Sequence, residues 1–130
     1  MIKKWISQLW NSEDQNDIRA PKNVSASFSL WFKDLEVGIL SVNDGNWKFI
    51  YSEAFKEQDI IKPLIDFPEI NKEYETATLW PFFSYRIPGL NQPKVQKQII
   101  EKKIDAKNQI ELLKEFGNIS VYNPFKLKYL

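Results

Sequence analysis

Hydrophobic and polar side chains alternate with a period of two over residues 24–52, which is the spacing of half-buried β-strands. The alternation is interrupted twice, at KDLE and at NDGN. In the second interruption Asp44-Gly45 supplies the positive φ that a tight hairpin turn needs, whereas the first interruption lacks a glycine. We therefore predict a three-stranded antiparallel meander over residues 24–33, 36–42 and 46–51.

The same alternation assigns side chains to the faces of the sheet. Two sets of apolar side chains each share one face: Phe28, Leu30 and Phe32 in the first strand, and Trp47, Phe49 and Tyr51 in the third. Trp31 points to the opposite side of the first strand. We expect Trp31 and Trp47 to lie in the core or against a face of the sheet.

Helical signals replace the alternation after the third strand. Ser52 can cap a short helix that continues to about Gln58. KPLIDFPEI is extended because Pro63 and Pro68 interrupt it. YETATLWPFFSYRI has helical spacing around Ala77, Trp80 and Ser84, and Pro81 either starts a helix there or ends its first turn.

Two longer helices and an extended terminal segment complete the predicted order. We expect Asn91 to cap the first of these helices, with Pro93 in its first turn, and Asp105 to cap the second, which ends at Gly117. Their buried stripes are Val95, Ile99, Ile100 and Ile104, and Ile110, Leu112, Leu113 and Phe116. The predicted class is α+β, a small antiparallel sheet in the N-terminal half followed by helices packed on one face.

The first residues form a separate unit in this interpretation. Apolar side chains at helical spacing predict a short amphipathic helix: Ile2, Trp5, Ile6, Leu9 and Trp10. A polar linker follows, so we divide the chain into residues 1–23 and a domain of residues 24–130. The helix is interpreted as a flap on the domain, an arm for a partner or a membrane-surface helix, and these alternatives stay open.

Composition narrows the possible functions. The chain contains no histidine and no cysteine, which removes the commonest general base and the thiolate metal ligands. Its net charge of +1 is too small for a nucleic-acid binder that relies on bulk electrostatics. No apolar stretch has the length of a membrane span. We expect a cytoplasmic protein without catalytic residues, cofactor, metal, membrane contact or direct nucleic-acid contact.

The segment TLWPFFSYRIPG concentrates aromatic residues between two prolines. Phe82, Phe83 and Ile87 are expected core residues. Trp80 is either an interface anchor on a backbone stiffened by Pro81 or an ordinary core residue. Arg86 either binds a phosphate or carboxylate or forms a salt bridge with a nearby acid. The candidate partner-binding residues are Trp80, Pro81, Tyr85 and Arg86.

Four segments, in this order, resemble the N-terminal subdomain of HipA-type kinases. They are FSLWFKDLEVGILSVNDGNWKFIYSEAF, KPLIDFPEI, WPFFSYRIPG and IELLKEFGNISVYNPFKL. KPLIDFPEI departs from the family's Pro-Leu-Ser-x-Ser-x-Pro pattern at Ile65 and Phe67. The resemblance covers residues 28–127, and no nucleotide-binding loop or catalytic-loop aspartate follows in matching context.

The resemblance implies that the subdomain exists here as a separate protein, as in the HipS-like antitoxins of split HipBST systems. Such a protein binds and neutralises a HipT-like serine/threonine kinase toxin, and a HipB-like DNA-binding protein completes the complex. By the same resemblance, Trp80 would enter the active-site cleft of the kinase. The alternative is an interaction module of a HipA-like kinase and repressor complex that does not inhibit the kinase.

Overall fold

The computed structural model describes residues 18–130, so the predicted amphipathic helix lies outside the described residues. The described elements are β1 (Ser25–Phe32), β2 (Leu35–Asn43), β3 (Asn46–Tyr51), α1 (Glu53–Lys56), β4 (Tyr74–Thr76), α2 (Pro81–Ser84), α3 (Pro93–Glu101), α4 (Gln109–Phe116) and β5 (Lys126–Tyr129). The α+β class is confirmed. No helix within residues 18–130 is long and apolar enough to cross a membrane.

The five strands form one antiparallel sheet in the order β4-β3-β2-β1-β5. The predicted meander is its centre. Asp44 and Gly45, with φ of 51° and 78°, close the hairpin between β2 and β3, as the sequence predicts. The glycine-free turn between β1 and β2 places Lys33 at φ 52°, and the register shifts between Leu30 and Trp31.

Helical spacing in the sequence begins before Pro81, but residues 74–80 are not helical. Tyr74–Thr76 is a short edge strand, β4, that pairs with β3, and helix α2 begins only at Pro81. Three residues are too few to show a period of two, and of the residues at helical spacing, Ala77, Trp80 and Ser84, only Ser84 lies in α2. Of the two alternatives for Pro81, the structure therefore selects the start of a helix.

The helix caps confirm two predictions, Ser52 before α1 and Gly117 at the end of α4, and correct two. Ser52 caps α1, since its Oγ accepts a hydrogen bond from the Phe55 amide at 3.0 Å. Helix α3 is preceded by Gln92 instead of Asn91. Helix α4 is capped by Asn108, whose Oδ1 accepts from two backbone amides. Asp105 caps only a turn, in which its Oδ1 accepts from the Lys107 amide.

The apolar side chains form two clusters. The larger one lies against the sheet and buries Trp47 and Phe83, which are 1% and 0% exposed, so the predicted core position of Trp47 is confirmed. The smaller one comprises Leu90, Val95, Ile99, Ala106 and Leu112. Ile100 was predicted to be buried but is 47% exposed, because only the Val95–Ile99 side of α3 faces this cluster.

Candidate partner-binding surface

Helix α2 is a single turn that separates buried from exposed aromatic residues. Pro81 occupies its first position, where the missing amide hydrogen is not needed. The Trp80 carbonyl oxygen accepts hydrogen bonds from the amides of Phe83 and Ser84 at 2.9 and 3.0 Å. Phe83 is thereby directed into the core, while Pro81 and Tyr85 are exposed.

Trp80 lies at the boundary between core and surface. Its ring packs edge-on against the buried ring of Phe67, with centroids 4.9 Å apart, and against Phe83 at 6.4 Å. The side chain is partly buried and partly exposed. Trp80 therefore has core contacts as well as an exposed part, and its role as an interface anchor stays a prediction.

Tyr85 and Tyr122 form an exposed aromatic pair. Their side chains are 65% and 72% exposed, and their ring centroids are 6.0 Å apart. They border an open groove of about 350 Å³. The groove is lined by Pro81, Phe82, Tyr85, Ser120, Tyr122 and Asn123. No charged side chain is among these, so the groove suits an apolar or aromatic side chain with a polar edge.

Arg86 lies beneath this surface instead of on it, at 4% exposure. Its Nη1 donates to the Gly117 carbonyl at 2.9 Å, and its Nη2 donates to Asn123 Oδ1 at 2.9 Å and to the Phe125 carbonyl at 2.7 Å. Its Nε has no partner among the described residues. Burial lowers the pKa of the guanidinium to about 10, which leaves it charged at neutral pH.

The predicted salt bridge of Arg86 is not formed with any of residues 18–130. Three neutral oxygens hold the guanidinium. Asn123 Oδ1 also accepts from the Phe125 amide at 3.1 Å. Arg86 therefore fixes the segment that carries Tyr122 against helix α2.

The structure thus brings three of the four candidate residues to the surface and places the fourth below them. The sequence interpretation missed Tyr122 and Asn123. The signal that could have found Asn123 is the asparagine before a proline in YNPF, since asparagine side chains commonly bond to backbone amides in turns. Within the described part of the chain no group of three or more acidic, histidine or cysteine residues could hold a metal ion.

Comparison with known proteins identifies the family. A search of curated proteins finds no match. A family profile described as the HipA N-terminal domain matches residues 28–121, a range that begins in β1 and includes every element through α4. The HipA N-terminal domain is a non-catalytic subdomain. Because the match covers more than two thirds of the 130 residues, the chain belongs to the HipA N-terminal domain family.

Proposed function

We propose that this protein is a non-catalytic antitoxin that binds and neutralises a HipA- or HipT-type serine/threonine kinase toxin in the bacterial cytoplasm. The observation that carries the proposal is an exposed aromatic surface on a domain of the HipA family. Trp80, Pro81 and Tyr85 belong to this surface. The absence of histidine and cysteine from the sequence supports a role in binding instead of catalysis.

The surface has the properties of a preformed interface. The Trp80 backbone is fixed by two hydrogen bonds at the start of α2, and Arg86 fixes the segment that carries Tyr122. Rigid aromatic side chains lose little conformational entropy on binding, which is why they are frequent interface anchors. In the proposed complex the exposed part of Trp80 enters the active-site cleft of the kinase and excludes substrate or nucleotide.

A third component and an alternative belong to the same proposal. A HipB-like protein would supply DNA binding in a ternary complex, since the net charge of +1 gives this chain little electrostatic attraction to DNA.

The alternative is an interaction module that binds a HipA-like kinase and repressor without inhibition. Both roles use the surface around Trp80 and Tyr85, and they differ in the activity of the bound kinase.

The test is to establish whether a neighbouring reading frame encodes a HipA-type kinase, to co-purify the protein with that kinase and to measure kinase autophosphorylation in the complex. We expect a stable complex with suppressed autophosphorylation. Tyr85→Ala should weaken binding, whereas the control Ile100→Ala, which changes an exposed residue of α3, should not. A stable complex with full kinase activity would support the non-inhibitory module, and absence of binding would contradict both roles.

A further inference from the structure

Two isoleucines are almost fully exposed in the segment that joins α1 to β4. Ile60 and Ile65 are 90% and 97% exposed. Burial of an isoleucine side chain contributes about 1.5–3 kcal/mol, so two such residues in one segment of a small domain forgo a considerable stabilisation. Each isoleucine is adjacent to an aspartate, in the pairs Asp59-Ile60 and Ile65-Asp66.

Ile65 and Asp66 occupy the two central positions of a turn that is fixed to the core. The Phe67 amide donates to the Leu64 carbonyl at 2.9 Å. The buried Tyr51 hydroxyl accepts from the Leu64 amide at 2.9 Å and donates to the Phe67 carbonyl at 2.6 Å. Both ends of the turn are therefore held by one tyrosine, and Ile65 is presented on a rigid backbone.

Gln58 fixes the other isoleucine in a comparable way. Its Oε1 accepts from the Ile61 amide at 2.9 Å, and its Nε2 donates to the carbonyls of Ile61 and Phe55 at 3.0 and 3.1 Å. Asp59 and Ile60 lie inside the loop that these bonds close. A backbone held in this manner loses little freedom on binding, which favours the residues that it carries as anchors for a partner.

The charge of the segment defines the chemistry of a partner. Residues 57–73 contain five acids, Glu57, Asp59, Asp66, Glu69 and Glu73, and two lysines, Lys62 and Lys72, which gives a net charge of −3. All five acids are exposed. None of them takes part in a salt bridge with another residue of the described range 18–130. Unpaired charges around apolar side chains complement a basic surface.

We propose that residues 57–73, the acidic loop, are a second docking surface for a partner whose apolar pockets are bordered by lysine or arginine side chains. The inference rests on the proposed function, because the partner is the kinase bound at Trp80. The two surfaces are connected through Phe67, which ends the Ile65 turn and contacts the Trp80 ring at 4.9 Å. Because Phe67 is buried, it links the two segments beneath the surface, and in this proposal the kinase contacts both of them.

The test measures association and dissociation rates of the kinase with wild-type protein, Ile65→Ala and Asp66→Lys at two ionic strengths. Ile65→Ala should weaken binding about 5- to 30-fold through faster dissociation. Asp66→Lys should slow association and reduce its dependence on salt, because rim charges act mainly on the association rate. Both residues are exposed, so thermal unfolding of the free variants should remain close to wild type.

Two matched controls lie on α3. Ile100→Ala removes an exposed isoleucine, and Glu101→Lys makes the same charge change as Asp66→Lys on a residue that is also exposed. Neither control should change the rates as the loop variants do. Effects confined to the loop variants would support the inference.

Three outcomes would overturn the inference, and they can be told apart. If wild-type protein binds the kinase and both loop variants bind with unchanged rates, the loop is not an interface although the proposed function stands. If wild-type protein does not bind the kinase, the proposed function fails and this inference fails with it. If sedimentation shows a dimer that Ile65→Ala dissociates, the loop binds a second copy of the chain instead.

Discussion

The indole ring of Trp80 meets the ring of Phe67 edge-on, with centroids 4.9 Å apart and ring planes at 83°. Phe67 is completely buried, whereas Trp80 is partly exposed. Trp80 thus joins the core to the proposed binding surface, and its two roles can be separated only by measuring stability and affinity on the same variant.

Trp80→Ala should lower the free energy of unfolding by about 1–3 kcal/mol, less than the roughly 3–5 kcal/mol typical of a fully buried aromatic residue. It should weaken kinase binding by about 2–4 kcal/mol, or roughly thirty- to thousand-fold. Urea unfolding and calorimetric titration measure the two effects. Phe83→Ala, at a fully buried position, is the control that should reach the larger loss of stability. A stable Trp80→Ala protein with unchanged affinity would contradict the anchor role.

Arg86→Lys should be strongly destabilising although the substitution keeps the positive charge. One ammonium group cannot reproduce the three hydrogen bonds of the guanidinium. A buried carbonyl left unpaired, at Gly117 or Phe125, costs about 1–3 kcal/mol, whereas Asn123 Oδ1 keeps its bond from the Phe125 amide. We expect a loss of about 2–4 kcal/mol in urea unfolding. Arg19→Lys, at an exposed position, is the control and should change stability by less than about 0.5 kcal/mol. Equal stability of both variants would show that the Arg86 bonds contribute little.

The central meander was predictable because its signal is local. Alternation over residues 24–51 and the Asp44-Gly45 turn define β1 to β3 to within one or two residues. The cap at Ser52 was also predictable, since it depends on a side chain and an amide three residues apart. Pairing of β5 with β1 connects distant parts of the chain, so the sequence indicates only that the terminal segment is extended.

The predicted N-cap of α4 was wrong for a local reason that the sequence does not display. Lys103 adopts a positive φ of 55°, which turns the chain after α3 and delays the next helix. Asp105 and Asn108 both have capping side chains, and only this turn decides between them. The short strand β4 was missed because three residues carry too short a pattern, and its position is set by tertiary pairing with β3.

For the candidate surface, the sequence identified Trp80 and Tyr85 but neither the exposed Tyr122 nor the role of Arg86. Aromatic crowding beside Pro81 is visible in the sequence, and it led to Trp80 and Tyr85. The oxygen atoms that hold Arg86 belong to residues 31, 37 and 39 positions further along the chain. Such contacts depend on the folded arrangement of two separate segments, and no local pattern reports them.

The stability of the protein should fall between about pH 10 and 12 because of Tyr51. Burial raises the pKa of this hydroxyl from 10.0 to about 12, against the opposing effect of the Leu64 amide. The folded state then holds the proton more tightly than the unfolded state, so the stabilisation is present below pH 10 and is lost as the pH rises. A pKa difference of about two units between the folded and unfolded states corresponds to a loss of about 2–3 kcal/mol in the free energy of unfolding. Urea unfolding at pH 9 and near pH 12 measures the loss.

Tyr51→Phe is the control for this alkaline transition. All other side chains are the same in both proteins, so the difference between their pH profiles isolates the tyrosine. The variant should be less stable at neutral pH, because the Leu64 amide and the Phe67 carbonyl lose their shared partner. Its stability should depend less on pH above 10. Parallel profiles for the two proteins would contradict the assignment.

Removal of residues 1–17 should leave cooperative unfolding and the melting temperature nearly unchanged, because the predicted linker separates Trp5 and Trp10 from the domain.

Removal of residues 1–20 should leave a folded but less stable domain. The Arg19 amide donates to the Lys107 carbonyl at 3.2 Å, and its carbonyl accepts from the Gln109 amide at 2.9 Å. Two such bonds correspond to about 1–3 kcal/mol. Thermal unfolding followed by circular dichroism compares the two truncations. Loss of cooperativity in the shorter truncation would show instead that Trp5 and Trp10 belong to the core.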